Sequence, residues 1–273
     1  MPFDLPSLRE TYARDGVVLL PRALDDTAMA EALSAWEWSV AHPGPGASRI
    51  PSPSSAEAVF YQDLFNPRCL EGYAAMLKTS PLPAMIADIW GAPDVWFMYE
   101  QVFLKEGGEA RRTPWHQDSS YLTVAGEHLA VAWITFDRCG PGETLEFVRG
   151  SHRGPLYNTS RFDPADETAP IHPSASMPRL PNIEGDRAAH DIVAYPVEPG
   201  DVVLFHPTLL HGGAPTHAGQ RRRTLTLRFF GADATYDERP GPAGPRMDGF
   251  HKGLKTGDSF RHPTFLRVNP RAT

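Results

Sequence analysis

The segment Thr113-Pro114-Trp115-His116-Gln117-Asp118-Ser119-Ser120-Tyr121 carries a histidine and an aspartate two residues apart. In an extended strand alternate side chains share a face. His116 and Asp118 therefore project together, and Gln117 turns to the other side. A neutral imidazole beside a carboxylate makes two-thirds of a facial metal site. Completing it takes a second histidine from a strand distant in sequence, with the other positions of the octahedron left open.

The surrounding chain supplies strands. Val95–Tyr99 and Gln101–Lys105 read as one long strand rich in aromatic and β-branched residues, which Gly107-Gly108 breaks. Leu129–Phe136, Leu145–Val148, Ile192–Tyr195, Val202–Phe205, Leu209–His211 and Thr224–Phe230 follow, separated by Gly and Pro turns. Short strands so spaced make a sandwich or barrel. Ahead of them lie a helix over 5–14, a buried strand Val17–Leu20, and a helix capped by Asp25 or Asp26 that runs through Met29, Leu33, Trp36 and Trp38. Residues 43–55 read as a loop, and 68–78 and 82–90 as two further helices, the second ended by Gly91. A proline-rich insertion at 153–190 reads as a functional lid or a disordered segment, and part of it is expected to be a lid. The Pro- and Gly-rich residues from Asp237 onward read as surface covering. The expected organisation is a single domain over 1–273: a helical part at about 1–92, a β core at about 95–231 and a covering segment at about 232–273.

Bulk properties narrow the function. The 273 residues are 41% apolar, enough for a substantial core. A net charge of -7 argues against a general nucleic-acid binder. No apolar run is long enough for a bilayer span, and no basic stretch followed by an apolar block opens the chain. Cys69 and Cys139, far apart, give neither a zinc knuckle nor a disulfide framework. The expected compartment is the cytoplasm, and the expected partner a small molecule; oligomeric state is not legible.

The missing ligand is sought downstream. His211 closes an apolar run and precedes Gly212-Gly213, where backbone approaches a ligand closely. Eleven residues on, Arg222 begins a strand whose alternation puts Arg222, Thr224, Thr226 and Arg228 on one face and Arg223, Leu225, Leu227 and Phe229 on the other. An arginine fork holds a carboxylate through two hydrogen bonds, and the Thr224 hydroxyl adds a third. His206 is a rival ligand, but Pro207 rather than glycine follows it. Taken singly, His-x-Asp recurs by chance, His211 reads as a turn or core histidine, and the three arginines read as a solvated strand end. In this order, with strands between them, they point together to a metal site.

With these residues in place the chain resembles the phytanoyl-CoA dioxygenase family of Fe(II)/2-oxoglutarate oxygenases. The likeness runs from Asp15-Gly16-Val17-Val18 to about Phe230. It is strongest at Trp115-His116-Gln117-Asp118, Trp133, Val148-Arg149-Gly150-Ser151-His152, Pro199-Gly200-Asp201, and His211 with Arg222. It implies a double-stranded β-helix, a jelly-roll or cupin-like barrel. It implies His116, Asp118 and His211 as iron ligands that together form the catalytic centre, and Arg222 on the distal carboxylate of 2-oxoglutarate. It also implies Lys105, Trp133 and Met98 as lining of that cosubstrate's pocket. The implied reaction uses O2 and 2-oxoglutarate, releases succinate and CO2, and hydroxylates an unactivated C–H bond of a small substrate. Asp118 speaks against halogenation, since related halogenases carry a small residue there; hydroxylation or another C–H oxidation is favoured, and desaturation, epoxidation and ring closure stay open. Three features depart from the family pattern: Gly140-Pro141-Gly142-Glu143-Thr144-Leu145 replaces an Asn-Gly-Pro-Leu turn, Arg149 stands where a proline is common, and Gly213 where a serine is.

Two other classes remain open, a metal-dependent hydrolase and a non-catalytic barrel for small acids. For substrate contacts, Tyr121, Arg149 and Arg153 are the candidates. With Arg111, Arg112 and Arg161 the two arginines either steer an anion to the barrel mouth or pair at the surface with Glu106, Glu109 and Glu143.

Overall fold

Alternation along the strand that begins at Arg222 decides which way the rest of the molecule faces. The computed structural model describes residues 3–52, 55–106, 112–163, 165–173, 175–213, 215–217, 219–245, 247 and 249–269. Gly107-Gly108, Glu109 and Arg111 lie outside the described residues. In chain order the elements are α1 (Leu5–Asp15), β1 (Val17–Leu20), α2 (Asp26–Ala41), β2 (Ser48–Ser52), β3 (Ser55–Leu64), α3 (Leu70–Thr79), α4 (Leu82–Trp90), β4 (Val95–Glu106), β5 (Thr113–His116), β6 (Val124–Ala125), β7 (Leu129–Thr135), β8 (Leu145–Val148), β9 (Ile192–Ala194), β10 (Val202–Phe205), β11 (His211–Gly213), β12 (Arg222–Phe230), β13 (Thr235–Tyr236) and β14 (Arg267–Asn269). The helix boundaries follow their caps. The Asp25 side chain accepts from Ala28 N at the start of α2, and Gly91 takes the left-handed conformation that closes α4.

Of the two main sheets, the larger has the order β1-β10-β7-β12-β4-β3-β2, with β14 added on β4, and the smaller has β5-β11-β8-β9; β6 and β13 form a separate two-stranded pair. In the larger sheet Thr226 lies opposite Trp133 and Gln101, and Arg228 opposite Val131 and Tyr99. Opposed residues share a face. The face carrying Ala132, Ile134, Leu204, Leu225 and Leu227 packs on the helices through Tyr12, Trp36, Leu77 and Ile86. The other face turns Val131, Trp133, Val203 and Phe205 toward Phe147 of the smaller sheet. The Phe147 and Phe205 rings stand 5.1 Å apart. Two sheets with a shared interior and helices on one outer face make the jelly roll expected of the chain. The polar side chains Arg222, Thr224, Thr226 and Arg228 stand on that interior face, as strand alternation requires.

Three stretches differ from their reading in sequence. Within 43–55, Ser48–Ser52 forms β2 on the partner strand β3. Proline and serine hid it, but β2 ends the sheet order, and an edge strand tolerates Pro51 because it needs no ladder donor on its open side. β11 begins at His211 instead of ending there. The segment after Asp237 does more than cover. Phe250, Phe260 and Phe265 are buried with Tyr99 and Phe230 in a second core, and β14 extends the larger sheet. Phe260→Ala should therefore destabilise the fold by about 3–5 kcal/mol, read as a lowered urea midpoint. A mere cover would lose less than about 0.5 kcal/mol.

Candidate active site

β5 and β11 run antiparallel with His116 directly opposite His211, and their ring centroids are 4.2 Å apart. Gln117 continues the extended backbone, with φ -120° and ψ 124°, before Asp118 opens a 3-10 turn to Tyr121. This brings Asp118 round to the histidine side. Its Oδ1 is 3.5 Å from His116 Nε2 and 3.7 Å from His211 Nε2. Among the described residues these three form the one buried group whose donor atoms lie close enough to share an ion, all within 4.8 Å. Donors about 2.1 Å from a common ion and at right angles stand about 3.0 Å apart, so the spacing admits one.

The ring orientations suit a metal. His116 Nδ1 lies 2.8 Å from the Pro114 carbonyl and His211 Nδ1 2.9 Å from the Leu209 carbonyl. A carbonyl only accepts, so each Nδ1–H donates, and Nε2 is left as the atom that faces the centre. Burial, with His116 beside it, pushes the His211 pKa down to about 3, which keeps the ring neutral. Burial alone would raise the Asp118 pKa. The Arg228 guanidinium and the two histidines outweigh it and hold the carboxyl well below the usual range. The donor set is thus two imidazole nitrogens and one carboxylate oxygen, which fits a divalent ion.

A second polar patch shares the interior face. Arg222 and Lys105 are cross-strand neighbours, 6% and 5% exposed. Arg222 Nη1 donates to the carbonyls of Glu143 (2.7 Å) and Pro215 (3.0 Å). Burial, then the Arg222 charge, pushes the Lys105 pKa down to about 7. Burial likewise lowers that of Arg222. Thr224 is buried next along the same face, opposite Phe103, and Trp133 lies opposite Thr226. Met98 is not brought to this group. It sits at the bulge near the far end of β4, packed in the second core with Tyr99 and Phe230.

The other sequence candidates are dispersed. Tyr121 lies beside His116, but its hydroxyl donates to the Ser160 carbonyl at 2.6 Å, so its phenol braces the insertion. Arg149 pairs at the surface with Asp191 at 2.7 Å, and Arg149 and Arg153 both act on Asp15. Arg153 lines a cavity of about 500 Å³ with Arg9, Trp90, His152 and His206, apart from the His116 group. Arg161 pairs with Asp163, and Arg112 with Glu146, Glu167 and Glu184. Arg112, Arg149 and Arg161 are thus engaged in surface and rim ion pairs, with other partners than expected. His206, the rival ligand, takes a bond from Thr208 N at Nδ1 and sits 3.3 Å from the Gly126 carbonyl through Nε2.

Three residues near the centre were not singled out in the sequence. Gln117, fully buried, donates to the carbonyls of Thr208 (2.8 Å) and Pro155 (3.2 Å) and accepts from Tyr157 N (2.8 Å). It ties the insertion to the strand connection before His211. Phe162 is 42% exposed with φ 62°, an uncommon conformation for a bulky side chain. Its ring stacks on Tyr121 and stands edge-on to His116, 5.5 Å between centroids. Arg228 had one signal, a shared strand face with Arg222. Its contact with Asp118 spans 110 residues of sequence and left no local trace.

The phytanoyl-CoA dioxygenase family model matches residues 12–224. A probable alpha-ketoglutarate-dependent hypophosphite dioxygenase from Stutzerimonas stutzeri is 28% identical over 121 residues, 44% of this chain and 40% of that protein. An L-proline trans-4-hydroxylase from Streptomyces griseoviridis is 25% identical over 230 residues, 80% of this chain and 83% of its relative. Among solved structures, the epimerase SnoN in complex with Fe3+, alpha ketoglutarate and nogalamycin RO superposes with a TM-score of 0.73 at 19% identity, covering 97% of this chain and 98% of that one. That likeness concerns the fold. The family match spans β1 to the start of β12 and takes in His116, Asp118, His211 and Arg222. The chain belongs to the phytanoyl-CoA dioxygenase family.

Proposed function

We propose that the protein is an Fe(II)- and 2-oxoglutarate-dependent dioxygenase that hydroxylates an unactivated C–H bond of a small organic substrate, with release of succinate and CO2. One observation carries the reading. A buried two-histidine, one-carboxylate group and a pair of buried cations, Arg222 and Lys105, open onto the same interior. His116 Nε2, His211 Nε2 and Asp118 Oδ1 would hold the iron. When bound, iron and 2-oxoglutarate supply the oxidising power by coupling decarboxylation to activation of O2. Arg222 and Lys105 would hold the distal carboxylate of 2-oxoglutarate, with the Thr224 hydroxyl beside them and the Trp133 ring as wall. The hydrolase reading accounts for the metal group but does not call for two buried cations on the same interior face.

Phe162 and Tyr121 present an apolar wall over His116, so the substrate carbon is placed there. Arg149 is engaged with Asp191 at the surface and Arg153 lines a separate cavity, so the proposed substrate is not required to be an anion. The test is succinate formation from 2-oxoglutarate under Fe(II) and air, against the zinc-loaded protein. No succinate, together with hydrolase activity in the zinc form, would reverse the assignment.

The insertion is proposed as a lid in two parts. Its inner edge is pinned by Gln117, by Ser120 Oγ on the Tyr157 carbonyl at 2.9 Å and by Trp115 Nε1 on Glu184 at 3.0 Å. Hydrogen exchange should find 155–160 protected in every state. Residues 161–173 should slow only with metal, 2-oxoglutarate and substrate together, since closure excludes water. Equal exchange in all states would mark them as a passive loop.

A further inference from the structure

The two oxygens of Asp118 face different ways. Oδ1 lies 3.5 and 3.7 Å from the two histidine Nε2 atoms. Oδ2 accepts from Arg228 twice, from Nε at 3.1 Å and from Nη2 at 2.7 Å. Arg228 is itself held. Its Nη2 also donates to Gln101 Oε1 at 2.9 Å, its guanidinium carbon sits 4.6 Å from the Tyr99 ring centroid, and it is 5% exposed. Gln101 and Tyr99 belong to β4, which pairs with β12 along its length. The guanidinium is therefore fixed by the sheet, and the carboxylate is fixed by the guanidinium.

We propose that Arg228 is a positioning residue that keeps Asp118 a one-oxygen ligand. The inference rests on the iron and 2-oxoglutarate reading of the site. A carboxylate binds a divalent ion through one oxygen or through both. Two histidines and one carboxylate oxygen leave three positions of an octahedron, the number that a chelating 2-oxoglutarate and O2 require together. A second carboxylate oxygen on the ion would leave two, and 2-oxoglutarate alone would fill them. Charge-assisted bonds from two fixed nitrogens are short and strong in a dry site, so they hold Oδ2 away from the ion. Arg228 lies beyond the residues that the family model matches, so membership of the family does not assign it this task.

The alternative is that Arg228 only neutralises a buried carboxylate. Arg228→Lys keeps the charge and loses the fork; Arg228→Met loses both. The probe is Mn(II) alone, with coordinated waters counted from the broadening of its EPR lines in oxygen-17 water. The wild type should show three waters. Both variants should retain Mn(II) and show two, and their iron forms should consume O2 in the presence of 2-oxoglutarate at least tenfold more slowly. If the methionine variant does not fold, the lysine variant decides. Three waters in the variant, or two in the wild type, would overturn the inference. A wild type with three waters that forms no succinate would instead sink the functional reading and leave the one-oxygen role intact.

Discussion

His116→Ala should abolish 2-oxoglutarate-dependent turnover and weaken Fe(II) binding by more than about a hundredfold, because loss of a partner that merely orients a ligand already costs 10–100-fold. Asp118→Ala should be worse. Removing the carboxylate leaves the buried Arg228 guanidinium without its counter-charge, and that uncompensated positive charge repels a dication. It also costs stability, about 3–5 kcal/mol for one partner taken from a buried pair. The two variants thus separate by their unfolding midpoints: His116→Ala stays near wild type while Asp118→Ala falls. Metal content after gel filtration and succinate yield are the measurements. Undiminished turnover in His116→Ala would remove that histidine from the site. The metal-free protein should also lose stability on acidification. His211 prefers the neutral form in the fold, with its pKa at about 3 against the usual 6.5. Between those values the unfolded chain binds more protons, so stability rises with pH across that window.

How far the sequence foretold this centre depended on the range of each contact. His116 with Asp118 and Arg222 with Thr224 lie two residues apart on extended backbone, where the two-residue period of a strand is a local rule. His211 was marked by the two glycines after it; an added Cβ at Gly212 would come within 2.8 Å of the Thr113 carbonyl on the neighbouring strand. By contrast, the Arg228–Asp118 and Gln117–Thr208 bonds join residues about a hundred apart, and nothing in either local sequence names its partner. Strand β2 was hidden because edge position, which makes its proline tolerable, is a property of the sheet. The phenylalanines after Asp237 lie among prolines and glycines, and sequence texture does not reveal that they converge on Phe230. Proximity in sequence to the His152 turn likewise said nothing of Asp191, which pairs with Arg149, or of the cavity that Arg153 lines.

Arg222→Ala should weaken 2-oxoglutarate binding by at least about a hundredfold with iron content unchanged. The distal carboxylate of a bound 2-oxoglutarate enters a buried patch where a charge must be matched. Stranding one member of a buried ion pair costs roughly 3–5 kcal/mol, and about 1.4 kcal/mol is tenfold in affinity. Arg222→Lys should rescue only in part, since an ammonium lacks the planar fork. Arg223→Ala is the control. That side chain turns to the opposite face of β12 and pairs with Asp137 at 2.9 Å, so its loss should leave the affinity nearly unchanged. Lys105 adds a pH dependence. In the free protein its pKa is about 7, so its charge is lost as pH rises through neutrality. A bound carboxylate favours the charged form and raises that pKa, so binding takes up a proton. Affinity for 2-oxoglutarate should therefore be constant below pH 6 and fall above pH 7, by up to about tenfold per pH unit, until the raised pKa is passed. Lys105→Met should flatten the profile, while Arg222→Ala lowers it without flattening it. A flat wild-type profile would take Lys105 out of the carboxylate site. A large loss in Arg223→Ala with none in Arg222→Ala would show the wrong face of β12 to be facing the cosubstrate.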